Sequence, residues 1–133
     1  MNPVFLDTVG LLALWNRSDQ WHGPAKRAFE SLAAAERVLL TTTFVLLECG
    51  NAASRQPFRR EVSLLRHQLE SAGLLIAPTD ADWQAAWAAY DRAEAAQAGI
   101  VDCVSFAVMH RLGITEAFTN DRHYAAAGFR TLF

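Results

Sequence analysis

Four of the fourteen acidic residues have the wrong neighbours for a solvated charge. Asp7 ends the apolar run Val4-Phe5-Leu6, and Asp121 comes just past Ala117-Phe118-Thr119. Glu48 is the only charge between Val38 and Ser54, and Asp102 the only one between Ala95 and Met109. An unpaired carboxylate is costly to bury, so an acid in such company is paired, protonated or bound to a cation. If the four converge, they repel one another unless a counter-charge joins them. An all-oxygen cluster suits a hard divalent ion, Mg²⁺ or Mn²⁺, in one or two copies. Such an ion lowers the pKa of bound water and clamps the oxygens of a phosphodiester under attack.

Taken singly, each acid has an ordinary reading. Asp7 after a strand is a turn or cap residue, Asp102 an N-cap, and Asp121 the turn residue of Asn-Asp. Glu48 in an apolar helix is a partner for an arginine. The other acids, such as Glu30, Glu61, Asp80 and Glu94, stand among polar neighbours and read as solvated faces or helix starts.

The elements that must position the four follow from the hydrophobic pattern. Val4-Phe5-Leu6 reads as a buried strand, and Thr8 to Asn16 as a short helix. Asp19 caps a second helix through Ala25, Ala28, Phe29, Leu32 and Ala33, with Gly23-Pro24 in its first turn. Arg37 to Thr41 is the second strand, Thr42 to Arg55 a helix closed by Gln56-Pro57, and Phe58 to Ala72 another ending at Gly73. Leu74 to Ala77 is the third strand, followed by an Ala- and Trp-rich helix over Asp80 to Ala96 and a break at Gly99. Trp83 and Trp87, four apart, read as one packed face of that helix. Val101 to Leu112 is a helix with Gly113 as C-cap. Glu116 to Thr119 is the fourth strand, Asn120 to Ala126 a turn with a short helix, and Phe129 to Phe133 a terminal strand.

Strands alternating with helices predict a mainly parallel, five-stranded sheet in a three-layer α/β/α sandwich. Sites in such sheets form beyond the carboxyl ends of the strands. Asp7 and Asp121 fall at those ends, Glu48 in the helix leaving strand two, and Asp102 near the start of the helix feeding strand four. The spacing therefore predicts one edge for all four.

The pieces Phe-Leu-Asp7-Thr8, Leu-Leu-Glu48-Cys-Gly-Asn, Val-Asp102-Cys-Val-Ser-Phe and Ala-Phe-Thr119-Asn-Asp121-Arg-His-Tyr-Ala-Ala-Ala-Gly128-Phe resemble the PIN-domain ribonucleases. The resemblance is strongest to the VapC-like toxins of bacterial toxin–antitoxin pairs, and it spans the whole chain. It implies metal-dependent endonucleolytic cleavage of RNA, with Asp7, Glu48, Asp102 and Asp121 as the acidic quartet. Thr8 and Thr119 match accessory hydroxyl positions, and Thr119 is expected to orient a water or phosphate. It also implies a homodimer and a small antitoxin protein that covers the active site. One departure stands out: related sequences often carry an extra acid where Ala95 and Ala96 occur here, with Glu94 adjacent. The count of ions, one or two, is therefore left open.

Bulk properties fit this picture. At 133 residues, 52% hydrophobic and 20% charged, the chain reads as one folded domain over residues 1–133. Its net charge of −2 does not mark a nucleic-acid binder. Eleven of the twelve basic residues are arginines, however, suited to planar phosphate contacts. Arg55, Arg59, Arg60 and Arg122 are the candidate RNA rim, while Arg66 reads as a solvated helix residue. Cys49 and Cys103 lie in apolar segments and read as core thiols of a cytoplasmic protein. The four histidines have no zinc-site spacing with them. No segment reads as a membrane span. Two other functions remain: a housekeeping RNA-processing nuclease with the same site, or a catalytically silent PIN-like binding module. A phosphatase with Asp7 as nucleophile is disfavoured, because Val9 stands where a second aspartate would be needed.

Overall fold

The computed structural model describes residues 2–133. Its sheet has five strands, all paired in parallel, in the order β3-β2-β1-β4-β5. These are β1 (Val4–Leu6), β2 (Leu39–Thr42), β3 (Leu75–Ile76), β4 (Glu116–Phe118) and β5 (Arg130–Thr131). The first two crossovers step outward through α1 (Thr8–Trp15) and α2 (His22–Ala34), then α3 (Thr43–Ala53) and α4 (Arg59–Ala72). The chain then returns past β1 to β4 through α5 (Asp80–Asp91), α6 (Glu94–Gln97) and α7 (Ile100–Leu112), and reaches β5 through α8 (Arg122–Ala126). Right-handed crossovers put the outward and returning sets on opposite faces. The result is the α/β/α sandwich expected, with β1 and β4 flanking the point where the strand order reverses.

β1 is the centre of the core. Val4, Phe5 and Leu6 are fully buried on both faces, as a continuous apolar run in a covered parallel strand requires. Leu6 pairs with Phe118. The next residues along each strand, Asp7 and Thr119, therefore face each other across the sheet edge. Helix α1 lies close over that edge because residue 10 is glycine: a Cβ there would stand 2.0 Å from the Phe118 carbonyl oxygen.

The structure moves several boundaries. Asp19 does not cap α2; its Oδ1 accepts from the Trp21 amide in a tight turn, and the helix begins at His22. Pro24 then falls in the first turn, where its missing N–H costs nothing. β2 starts two residues later than Arg37, whose side chain instead reaches Glu116 at 2.6 Å. β5 contracts to two residues. The largest change is in the alanine-rich stretch, where α5 stops at Asp91 and Ala93, Ala95, Ala96 and Gln97 take positive φ. Helix propensity favours continuing, but α7 must run back along α5. Arg111 near the end of α7 binds Asp82 near the start of α5, which fixes the pair as antiparallel. The reversal is made by this left-handed turn.

Trp83 and Trp87 do not form a packed core face. They are 45% and 36% exposed, and they extend an edge-to-face ladder from Phe44 to Tyr90. Among the described residues, no helix is long and apolar enough to cross a membrane.

Candidate metal centre and active site

Asp7 leaves β1 in an extended conformation and opens α1, yet its side chain makes no cap bond to that helix. It turns inward, 2% exposed, and takes Thr119 Oγ1 on Oδ2 at 2.8 Å and Tyr124 Oη on Oδ1 at 2.7 Å. Burial pushes its carboxyl up to about 6, against the lowering effect of these two donors, while the Asp121 charge raises it further. The turn-or-cap reading of Asp7 therefore does not describe its side chain.

Asp102 occupies the first turn of α7, after Gly99 as N-cap. It is not the cap itself. Burial pushes its carboxyl up to about 7; the charges of Asp7, Asp121 and Glu48 add to the rise, and His123 opposes it. All four acids thus share one electrostatic neighbourhood. The ligand-capable atoms of Asp102, Asp121 and His123 lie within 4.8 Å of one another. Asp7 and Glu48 stand outside that tightest group while still acting on Asp102.

Glu48 pairs with no arginine. Its Oε1 accepts from Thr8 Oγ1 at 2.7 Å, so the first residue of α1 holds a side chain in the middle of α3. Asp121 does act as a helix cap: its Oδ1 accepts from the His123 amide and lies 2.7 Å from His123 Nδ1. Thr119, expected to face a water or phosphate, is fully buried and bound to Asp7 and the Asp121 amide. Its hydroxyl supports the acids and does not face solvent.

Two contributors escaped the sequence reading. His123, next to Arg122, reads from the sequence as part of the RNA rim, but its place two after Asp121 puts it in the same turn and against that carboxylate. Tyr124 carried a legible sign: a tyrosine buried among aromatics needs a partner for its hydroxyl. Cys49 and Cys103 are buried free thiols, and burial pushes Cys49 up to about 12, which leaves it inert. Arg55, Arg59, Arg60 and Arg122 are all exposed. Arg59 Nη1 folds back on the Ser54 carbonyl at 3.1 Å.

The donor set fits a divalent cation. Asp7 and Asp102 are raised to about 6 and about 7, first by burial and then by the charges of neighbouring carboxylates, and a bound cation would oppose both effects.

Comparison with known proteins agrees with this geometry. The PIN-domain family model matches residues 4–130. The chain is 32% identical over 127 residues to the 23S rRNA-specific endonuclease VapC20 of Mycobacterium tuberculosis, covering 95% of each. The crystal structure of that protein, described as a sarcin-ricin loop cleaving toxin, superposes with a TM-score of 0.76 at 30% identity and 95% coverage of both chains. FitAcB from Neisseria gonorrhoeae gives a TM-score of 0.65 at 13% identity, covering 98% of this chain and 96% of that one, and speaks to the fold alone. The chain belongs to the PIN-domain family.

Proposed function

We propose that this chain is a divalent-metal-dependent endoribonuclease, acting as the toxin of a toxin–antitoxin pair through one PIN domain over residues 1–133. The observation that carries the reading is the position of Asp102. Burial pushes its carboxyl up to about 7, and the charges of Asp7, Asp121 and Glu48, from three separate chain segments, add to that rise at the strand-order reversal.

Asp7, Glu48, Asp102 and Asp121 would hold Mg²⁺ or Mn²⁺, as one ion or two. A bound ion supplies an activated water and neutralises charge on the phosphoryl oxygens. The remaining work belongs to the chain. Thr119 and Tyr124 fix Asp7, and Thr8 fixes Oε1 of Glu48, which leaves Oε2 to accept a proton or a cation. His123 holds Asp121. Arg55, Arg59, Arg60 and Arg122 draw the RNA backbone toward an otherwise acidic mouth.

VapC20, by its name, acts on 23S rRNA. That RNA is therefore the first substrate to test. A toxin needs an inhibitor, so an antitoxin partner and a homodimer belong to the same proposal, as does a cytoplasmic location. Leu47, Trp83, Trp87 and Tyr90 are large exposed apolar groups available for such contacts.

Induced expression of wild type, Asp7→Asn and Asp102→Asn tests the reading. Growth arrest by wild type alone, with RNA cleavage that EDTA stops, is expected. Equal toxicity of all three, or cleavage that persists in EDTA, overturns it. Cleavage without growth arrest would favour a housekeeping nuclease, and binding without cleavage a silent module.

A further inference from the structure

We propose that Tyr124 is a positioning residue for Asp7, acting through its hydroxyl to hold that carboxylate in the orientation that receives a divalent cation. The inference rests on the metal-dependent reading above.

Asp7 is buried with no lysine or arginine bonded to it. Its two oxygens are instead held from opposite sides, Oδ2 by Thr119 and Oδ1 by Tyr124. The two oxygens of a carboxylate accept at about four lone pairs, so Asp7 keeps acceptor capacity beyond these bonds and the Thr8 backbone amide. Two fixed donors select one rotation of the carboxylate, and the free lone pairs then point in fixed directions. This is the part played by outer partners that orient a metal ligand.

The ring of Tyr124 cannot move to follow a wandering carboxylate. It is fully buried, edge-to-face on Phe106 at 4.8 Å and 86°, with Phe5 and Phe129 each 6.5 Å away. Burial and the charges of Asp7 and Asp102 keep the phenol protonated, so it remains a donor. Ser105, one residue before Phe106, stands beside the same hydroxyl. Its Oγ is fully buried and has no hydrogen-bond partner of full geometry among the described residues. An orphaned buried hydroxyl is uncommon. Donation to the phenol oxygen would give Ser105 Oγ the partner it lacks, and would make a chain from Ser105 through Tyr124 to Asp7 in which each bond strengthens the next. The fold makes this economical, since the one short turn of α8 delivers both Asp121 and Tyr124.

A merely structural tyrosine would contribute packing and a satisfied hydroxyl, with no effect on cation affinity beyond its effect on folding. Mn²⁺ binding followed by electron paramagnetic resonance, and the melting temperature of the metal-free protein, separate the two. Tyr124→Phe keeps the ring and removes the oxygen. It should bind Mn²⁺ about 10- to 100-fold more weakly than wild type while remaining folded. Phe129→Leu disturbs the same aromatic cluster without touching the hydroxyl. It should lower the melting temperature and leave Mn²⁺ affinity within about twofold of wild type. Ser105→Ala, which spares the ring entirely, should weaken Mn²⁺ binding by a smaller factor than Tyr124→Phe and serves if that variant does not fold.

Wild-type affinity in Tyr124→Phe, or in Ser105→Ala should it be the only folded variant, overturns the proposal. So does an equal loss of affinity in Phe129→Leu. If wild type itself binds no Mn²⁺, the metal site falls and this inference falls with it; wild-type binding with an unaffected Tyr124→Phe removes the Tyr124 role alone.

Discussion

Thr8 Oγ1 donates to Glu48 Oε1 over 2.7 Å, tying the first residue of α1 to the middle of α3. The two residues are forty positions apart in the chain. The bond spans the two helices that leave β1 and β2, and it settles which way the Glu48 carboxylate turns.

Removing that hydroxyl should loosen Glu48 without disturbing the core. Thr8→Val preserves shape and is expected to lower the RNA cleavage rate by about tenfold, the lower end of what outer partners of metal ligands contribute. Thr8→Ser, which keeps the donor, should stay near wild type. Single-turnover cleavage of an RNA oligonucleotide reads both. Equal rates for Val and Ser would show that Glu48 needs no such tether.

The raised carboxyls of Asp7, about 6, and Asp102, about 7, have a consequence for stability. Both exceed the ordinary aspartate value of 3.8, so the folded protein holds these protons more tightly than the unfolded chain. Their stabilising protonation is complete below pH about 4 and is lost as pH rises through 6 to 7. Metal-free protein should therefore lose stability between pH 5 and pH 8 through these groups. Mg²⁺ should restore it, and more at pH 8, where the acids are free to bind. At a hundredfold excess over Kd the gain is about 2.7 kcal/mol. Thermal melts at both pH values, with and without Mg²⁺, measure this. A metal-induced shift that is larger at pH 5 contradicts the assignment.

Asp102→Asn removes a charge that three neighbours oppose. Metal-free Asp102→Asn should then melt higher than wild type at pH 8, while cleavage falls by at least about 10²-fold. Loss of both activity and stability would mark Asp102 as a structural residue.

Much of this was legible in the sequence, because the signal lay in mismatch. Asp7, Glu48 and Asp102 stood out through apolar neighbours, and the strand order placed them at one edge. The β1 run and the Gly113 cap of α7 were local patterns, and they hold in the structure. What the sequence concealed was determined at a distance. The alanines at 95 and 96 favour helix, but the antiparallel packing of α5 and α7 requires a reversal there. Thr119 reads as the end of the fourth strand with a hydroxyl for a water or phosphate, yet the Leu6–Phe118 register places it against Asp7. Tyr124 lies 117 residues from its partner, and no local pattern records that pairing.

The arginine rim can be weighed by salt. In catalytically silent Asp7→Asn protein, Arg59→Ala and Arg60→Ala should each reduce the slope of log binding constant against log salt by about 1 if the side chain neutralises a phosphate. Both are exposed at the start of α4. Fluorescence anisotropy with a labelled RNA across a salt series gives the slopes. Unchanged slopes would return these arginines to the solvated helix face.

Gly10 provides the last prediction, since the whole site hangs on how close α1 comes to β4. A Cβ on residue 10 would lie 2.0 Å from the Phe118 carbonyl oxygen and 2.8 Å from its carbonyl carbon. The obstacle is backbone, and it cannot yield without moving Thr119 and Asp121, which follow it. Overpacking of this kind costs about 1–3 kcal/mol or more. Gly10→Ala should therefore lower the denaturation midpoint sharply and weaken Mn²⁺ binding, because relief of the clash separates Asp7 from Thr119. Gly50, inside α3, has nothing within 4 Å of the corresponding position. Gly50→Ala should stabilise by about 0.5–1 kcal/mol through helix propensity and leave binding unchanged. If both substitutions are equally mild in urea denaturation, α1 has room to move, and the close approach of its first turn to β4 is not what fixes Asp7.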